Sequence, residues 1–219
     1  MSDFLSAVVE SWPLFFEAAG RTLALSAVAL LLGLPLGALV AAASMSRVRP
    51  LRWFATAYIG LVRGTPLITQ IFILYFGLTI VLLLPGFWAA SIALAFHNSA
   101  YIAEILRSGF QSVPVGLDEA SRSLGMSWWQ TLRRVRGPLA FRTALPSLGN
   151  QFIIAVKDSS LAAFVTVDEL FQVALRATAS SYEPLTYYII VALYYLAIVL
   201  ILTLVVNRLE HALSKHRRS

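Results

Sequence analysis

From Leu23 to Ala43 the chain has no charged residue and consists almost wholly of Leu, Ala, Val and Gly. A helix of that length rises about 30 Å, which matches the hydrocarbon core of a bilayer. Four more apolar stretches follow. They run from about Trp53 or Ala57 to Leu84, from Phe87 to Leu106, from Thr143 to Val165 and from Leu185 to Val206. Hydrophobic residues make up 58% of the 219 and charged residues only 13%, with a mean hydropathy of +0.76. A soluble domain has too little interior for that much apolar side chain. The pattern predicts an all-α membrane protein with five transmembrane helices.

Charge supplies the orientation. Basic residues collect after span one (Arg47, Arg49, Arg52), in the polar segment from Arg107 to Arg142, and in the tail (Arg208, Lys215, Arg217, Arg218). Acidic residues collect at the start (Asp3, Glu10, Glu17) and after span four (Asp168, Glu169 and Glu183, with Arg176 among them). The alternation places the N-terminus outside and the C-terminus in the cytoplasm. It also accounts for the net charge of +6 without nucleic acid, because the arginines sit at span ends. The start is acidic and lacks a basic residue before Arg21, so it does not read as a cleavable signal peptide. Tyr182, Tyr187 and Tyr188 read as an interfacial aromatic belt. Cysteine is absent and the histidines are scattered, so no disulfide framework and no metal site are expected. No internal repeat is visible of the kind expected in an inverted-repeat transporter.

Several spans carry residues that cost energy in lipid. Gly33 and Gly37 flank Pro35 at a spacing that allows close helix approach, although ordinary tolerance of glycine is the first reading of such a pair. Arg63-Gly64-Thr65-Pro66, followed by Gln70, interrupts span two, where Pro66 should kink the helix. Arg63 either snorkels to the interface or serves a function. Pro85-Gly86 reads as a tight turn. Span three holds Asn98 and Ser99, and its His97, Tyr101, Glu104 and Ser108 share one face. Glu104 either pairs with Arg107 or faces a polar cavity. Span four is interrupted by Pro146 and Gly149. It sets Gln151 and Asp158 on one face and Asn150 and Lys157 on another. Lys157 and Asp158 read either as lining a path or as a structural pair.

One polar island remains, from Gly116 to Pro138. Ala120, Leu124, Trp128, Leu132 and Val135 fall on one helical stripe. Gly125 should break it into two short helices. Such an element either lies on the lipid surface or docks another protein.

The spacing of Glu119, Ala120, Ser121, Gly125, Val135 and Pro138 resembles the "EAA" loop of ABC-importer permeases. Three positions depart from the pattern: Ser121 for a second Ala, Val135 for Ile, and Gly137 for the Leu before Pro. The last should let the next helix start with more freedom. Arg63 to Phe72, Ser99 to Arg107, and Lys157 to Leu161 resemble three further stretches of the polar amino acid permeases, those for histidine, arginine, glutamine and related solutes.

The resemblance implies a type I importer permease fold, a single transmembrane domain over residues 1–219 with a cytoplasmic coupling loop at 116–138. It implies a multi-pass protein of the bacterial cytoplasmic membrane that moves a polar amino acid or close analogue by alternating access. The implied partners are two ABC ATPase subunits, a second permease subunit (identical or homologous), a periplasmic or lipid-anchored solute-binding protein, and membrane lipid. ATP and Mg belong to the ATPase. This chain has no G-x-x-x-x-G-K-[ST] stretch, and its only lysines are Lys157 and Lys215, so no enzyme activity, cofactor or catalytic residue is expected here.

An amino acid needs an anion near its ammonium and cations or N–H donors near its carboxylate. The candidate path residues are Arg63, Thr65, Gln70, Asn98, Ser99, Tyr101, Glu104, Gln151, Lys157 and Asp158. The candidate coupling residues are Asp118, Glu119, Ala120, Ser121, Leu124, Gly125 and Trp128, with Gly125 expected to need its small size at the turn. The competing class is a membrane scaffold or channel subunit with a regulatory cytoplasmic loop. It accounts for spans and charge bias, but not for the motif spacing.

Overall fold

Nine α-helices, with short π and 3-10 segments between some of them, account for the secondary structure among the described residues of the computed structural model, which are 2–79 and 81–214. Lys215, Arg217 and Arg218 of the basic tail lie outside them, as does the side chain of Asp3. In chain order the helices are α1 (Ser2–Ser44), α2 (Arg49–Gly64), α3 (Leu67–Phe72), α4 (Gly86–Gln111), α5 (Val115–Ser123), α6 (Trp128–Thr131), α7 (Gly137–Asp158), α8 (Leu170–Ser181) and α9 (Pro184–Ser214). Among the described residues, three helical stretches are long and apolar enough to cross a membrane: Ser6–Ser44, Gly86–Gln111 and Pro184–Ala212. Counting α2 with α3 and its π extension as one broken span makes four. The fifth expected span corresponds to α7, whose polar residues hold it below that threshold.

The expected boundaries need correction in several places. The first helix begins at Ser2, not near Leu23, and contains both Pro13 and Pro35. Its first half packs Phe15 and Ala18 against Leu170 and Val173 of α8 and Ile190 of α9. Its second half packs Leu25 and Ala29 against Ala90 and Leu94 of α4. The expected kink in span two is a break, with the two pieces bent by 102°. Thr65 and Pro66 at the break are both extended, as a residue before proline and an N-cap favour. Pro85 is extended and starts α4 rather than closing a tight turn. A Cβ on Gly86 would collide with the carbonyl of Val165. The segment after span four is largely the helix α8, flanked by left-handed Thr166 and Tyr182. Of the tyrosine belt, Tyr182 and Tyr188 are exposed, whereas Tyr187 stacks on Phe15 with ring centroids 6.5 Å apart.

In lipid there is little hydrophobic gain from joining two apolar helices, so small residues and close packing hold them. α4 presents Ala89, Ala90, Ala93, Ser99, Ala100 and Ala103, all fully buried. A Cβ on Gly33 would lie 3.0 Å from the Ala95 carbonyl, and one on Gly37 would lie 2.7 Å from Ile102 and 2.8 Å from the Ser99 carbonyl. Close approach, and not mere tolerance, is therefore the role of this pair. The register rises together on both helices, so α1 and α4 run in the same sense. Across α4 and α7, Asn98 meets Gln151 and Gly109 meets Ala140, so α7 runs in the opposite sense.

Candidate translocation face and coupling surface

The expected path residues separate into two groups. Asn98 and Ser99 are fully buried and Gln151 nearly so. Gln151 Nε2 donates to Asn98 Oδ1 at 2.8 Å, and Asn98 Nδ2 donates to the Leu94 carbonyl at 2.8 Å. The Ser99 hydroxyl lies 2.7 Å from the Tyr58 hydroxyl. These contacts lock α4 to α7 and to α2. Asn98 and Gln151 thus hold each other, and Ser99 holds Tyr58. The sequence reading missed Tyr58, an isolated tyrosine in an amphipathic helix with no local signal.

Thr65 and Gln70 have a similar internal role at the break. The Gln70 amide donates to the Val62 carbonyl at 2.9 Å, the Thr65 hydroxyl at 2.8 Å and the Thr65 carbonyl at 3.3 Å. A helix end leaves carbonyls without partners, and in a membrane water does not supply them. Gln70 supplies donors there, which explains why the glutamine follows the proline at this distance.

The second group is less enclosed. Arg63 is exposed, and its guanidinium carbon lies 5.2 Å from the centre of the Tyr101 ring, within cation–π range. His97 lies one turn away with its ring 5.1 Å from that of Tyr101. Glu104 grips Arg107 through two contacts, of 2.7 and 3.2 Å, so the local ion pair is the arrangement that forms. Ser108 is exposed on the same side. Lys157 is exposed and Asp158 half-buried. Neither makes an ion pair among the described residues. The α4–α7 register sets them level with the α4 residues near 91, roughly 15 Å along the axis from Tyr101. Arg63 and Asp158 thus belong to separate levels of the bundle.

The polar island folds as two short helices, as expected, and Gly125 adopts φ +72° at the turn. Nothing lies within 4 Å of a Cβ added there. Its requirement is therefore conformational and not one of size. Ser121 is buried, and its hydroxyl sits 3.0 Å from that of Thr131, joining α5 to α6. That hydrogen bond is what the departure from Ala provides. Asp118 pairs with Arg122 at 3.2 Å and Arg136 at 3.8 Å. Ser127 and Gln130 form a reciprocal cap that starts α6, in the pattern of a capping box. Glu119 and Ala120 point outward, and Leu124, Trp128 and Trp129 are 83%, 66% and 61% exposed. The stripe is divided at the Gly125 turn, as expected, and its first half is an uncovered apolar surface.

The join to α7 is also firmer than expected. A π turn, Leu132–Arg136, links α6 to α7 without a break. The Gly137 N–H donates to the Leu132 carbonyl, and a Cβ at Gly137 would lie 2.6 Å from that oxygen. Glycine serves clearance here. One helical run therefore extends from Trp128 to Asp158, about 46 Å, from the exposed tryptophans to the unpaired Lys157 and Asp158.

Glu169 escaped the sequence reading, which grouped it with exterior acids. It is fully buried. It accepts from the Gln172 N–H at 2.8 Å and the Tyr195 hydroxyl at 2.7 Å, so it caps α8 and ties it to α9. An acid directly before Leu-Phe-Gln was the available signal. Burial pushes its carboxyl above the usual range, against the hydrogen bonds that pull it down. The folded state then holds the proton more tightly than the unfolded chain. The stabilisation is complete below the ordinary glutamate value, about 4.3, and is lost as pH rises through the raised folded value. Thermal melts of the purified protein should show the midpoint falling across that window, and Glu169→Gln should flatten the slope. An equal slope in the variant would remove Glu169 as its source.

Residues 33–215 match the family model described as "Binding-protein-dependent transport system inner membrane component". The chain belongs to that family. Its members are membrane transport components whose ATPase is a separate subunit. This permease is 41% identical over 203 residues to the probable amino-acid ABC transporter permease protein YckA of Bacillus subtilis (strain 168), covering 92% of this chain and 90% of the relative. It is 38% identical over 208 residues to the glutamine transport system permease protein GlnP of Escherichia coli (strain K12), covering 94% and 95%. Among solved structures it superposes on the one described as "Crystal structure of an amino acid ABC transporter with histidines" with a TM-score of 0.90 and 36% identity, covering 95% of this chain and 98% of that one. The type I importer permease fold follows from that superposition.

Proposed function

We propose that this chain is the permease subunit of an ATP-driven importer for a polar amino acid or a close analogue. The likeness to amino-acid permeases over nearly the whole of both chains carries this reading. In it, residues 1–219 form one transmembrane domain crossing five times, with the N-terminus outside, the C-terminus in the cytoplasm, and residues 116–138 as the coupling loop. Two ATPase subunits hold ATP and Mg, a second permease subunit completes the path, and a solute-binding protein delivers substrate outside. The chain itself performs no hydrolysis.

The mechanism follows from the continuous helical run. The apolar surface at Leu124, Trp128 and Trp129 seats in the ATPase, with Glu119 beside it for a basic partner. ATPase closure moves α5 and α6. Because α6, the π turn and α7 are one helical rod, the displacement reaches Lys157 and Asp158 without a flexible joint. Arg63, held on the Tyr101 ring, is the cation for a substrate carboxylate, and Asp158 is the anion for an ammonium group at a different level. Glu104, tied to Arg107, shapes this face and does not bind solute.

Uptake by proteoliposomes holding the full complex tests the assignment. A lost hydrogen bond to a charged group is worth about 1.5–3 kcal/mol, or roughly 10- to 100-fold. Arg63→Gln and Asp158→Asn should each reduce uptake by that order while the ATPase still co-purifies. Glu104→Gln should act mainly on stability. Unchanged uptake in both Arg63→Gln and Asp158→Asn would sink the path.

A further inference from the structure

A groove of about 1640 Å³ opens where the end of α1, the start of α2 and the end of α4 meet the helices α5 and α6. Its walls include Leu39, Val40, Phe54, Leu106, Phe110 and Leu132, and its lining also holds Arg47, Arg122 and Arg136. Asp118 is the single acid of that lining. It is engaged by Arg122 and Arg136, which leaves an excess of two positive charges. Arg47 makes no ion pair among the described residues. An apolar cleft that ends in unneutralised guanidinium groups fits an amphiphile with an anionic head.

We propose that this groove binds an anionic phospholipid, with its phosphate on Arg47 and its acyl chains along α1 and α4. The apolar walls rise from α1 and α4, and the arginines begin just past the end of α1, where the apolar run closes at Met45. That boundary is the depth of lipid headgroups, and basic pockets between membrane helices at the cytoplasmic side suit acidic lipids. A second copy of this chain is a poor occupant. Its segments at this level, 45–52 and 112–142, hold eight arginines against Asp118 and Glu119, so they would add positive charge to a positive site. The inference rests on the reading that this end of the bundle faces the cytoplasm. A titration in detergent is blind to orientation, so its failure would condemn the groove and leave that reading standing.

The test uses the permease purified with its ATPase and native mass spectrometry during titration with phosphatidylglycerol or phosphatidylcholine of the same acyl chains. Phosphatidylglycerol should be retained at least tenfold better. Arg47→Gln should weaken phosphatidylglycerol about fivefold and leave phosphatidylcholine unchanged. Arg47→Lys, which keeps the charge, should bind as the wild type does. Equal retention of the two lipids, or an Arg47→Gln variant with unaltered preference, overturns the proposal. The chain has no cysteine, so Leu39→Cys gives a single reactive site. A disulfide-linked permease pair through that residue in proteoliposomes would put a second copy in the groove, and would also overturn it.

Discussion

Gly37→Leu is expected to deplete the membrane of folded permease. The Cβ alone would press to 2.7 Å from Ile102 and 2.8 Å from the Ser99 carbonyl, and carbon atoms at rest need 3.5–4.0 Å. The Ile102 Cβ is fixed to the α4 backbone and cannot turn aside, and neither can the Ser99 carbonyl in the middle of that helix. The helices must separate along the line where small residues hold them. Overpacking of this kind costs about 1–3 kcal/mol for added methylenes, and a leucine adds several. Gly37→Ala is the graded case. At roughly 2–4 °C per kcal/mol for a chain of this size, its melting midpoint in detergent should fall by several degrees. Ile102→Val in the same chain should recover almost none of the loss, because valine keeps the Cβ and the Cγ2 that crowd the site and the Ser99 carbonyl stays in place. A Gly37→Leu permease that accumulates, melts and transports as the wild type does would refute the close-approach role.

The second large effect is functional and separates two explanations of Gly125. If size mattered, alanine would already interfere and asparagine more so. The structure leaves space around the position and imposes φ +72°. That conformation costs an L-residue about 1–2 kcal/mol, is visited by asparagine, and is worst for a β-branched side chain. ATP-coupled uptake should therefore rank Asn near glycine, Ala lower and Val lowest, with a loss of roughly 5- to 30-fold for Val. Permease levels should stay near normal in all three, since the turn lies outside the packed bundle. Equal transport by the Asn, Ala and Val variants would remove the turn from the coupling path. A ranking by size, with Ala above Asn, would restore the steric explanation.

Much of this architecture was legible in local patterns. Apolar runs, proline and glycine positions and the spacing from Glu119 to Pro138 act over a few residues, and they marked the interruption at Pro66 and the turn at Gly125, though not that α1 begins at Ser2 or that Pro66 breaks the span outright. The chemistry of the candidate path was less legible. Asn98, Ser99, Gln151, Thr65 and Gln70 carry the right groups for binding a solute, yet each engages another residue of the same chain through at least one of them. Hydrogen-bonding capacity can be read from a residue type, whereas its partner depends on which helices meet. Glu169 makes the same point in reverse. It looked like one of several exterior acids, and the meeting of α8 with α9 buries it and supplies its donors.

By itself, the sequence determined that this chain lives in a membrane, how its charges alternate and where its polar loop turns. These properties follow from side-chain solvation and backbone sterics within one segment. Only the tertiary structure decided which polar residues stay available. It joined α6 through a π turn to α7, so that the loop and Asp158 lie on one helical rod. It also placed three arginines and one aspartate around a shared groove. Those outcomes depend on register and contact between segments far apart in the chain, and no local pattern contains them.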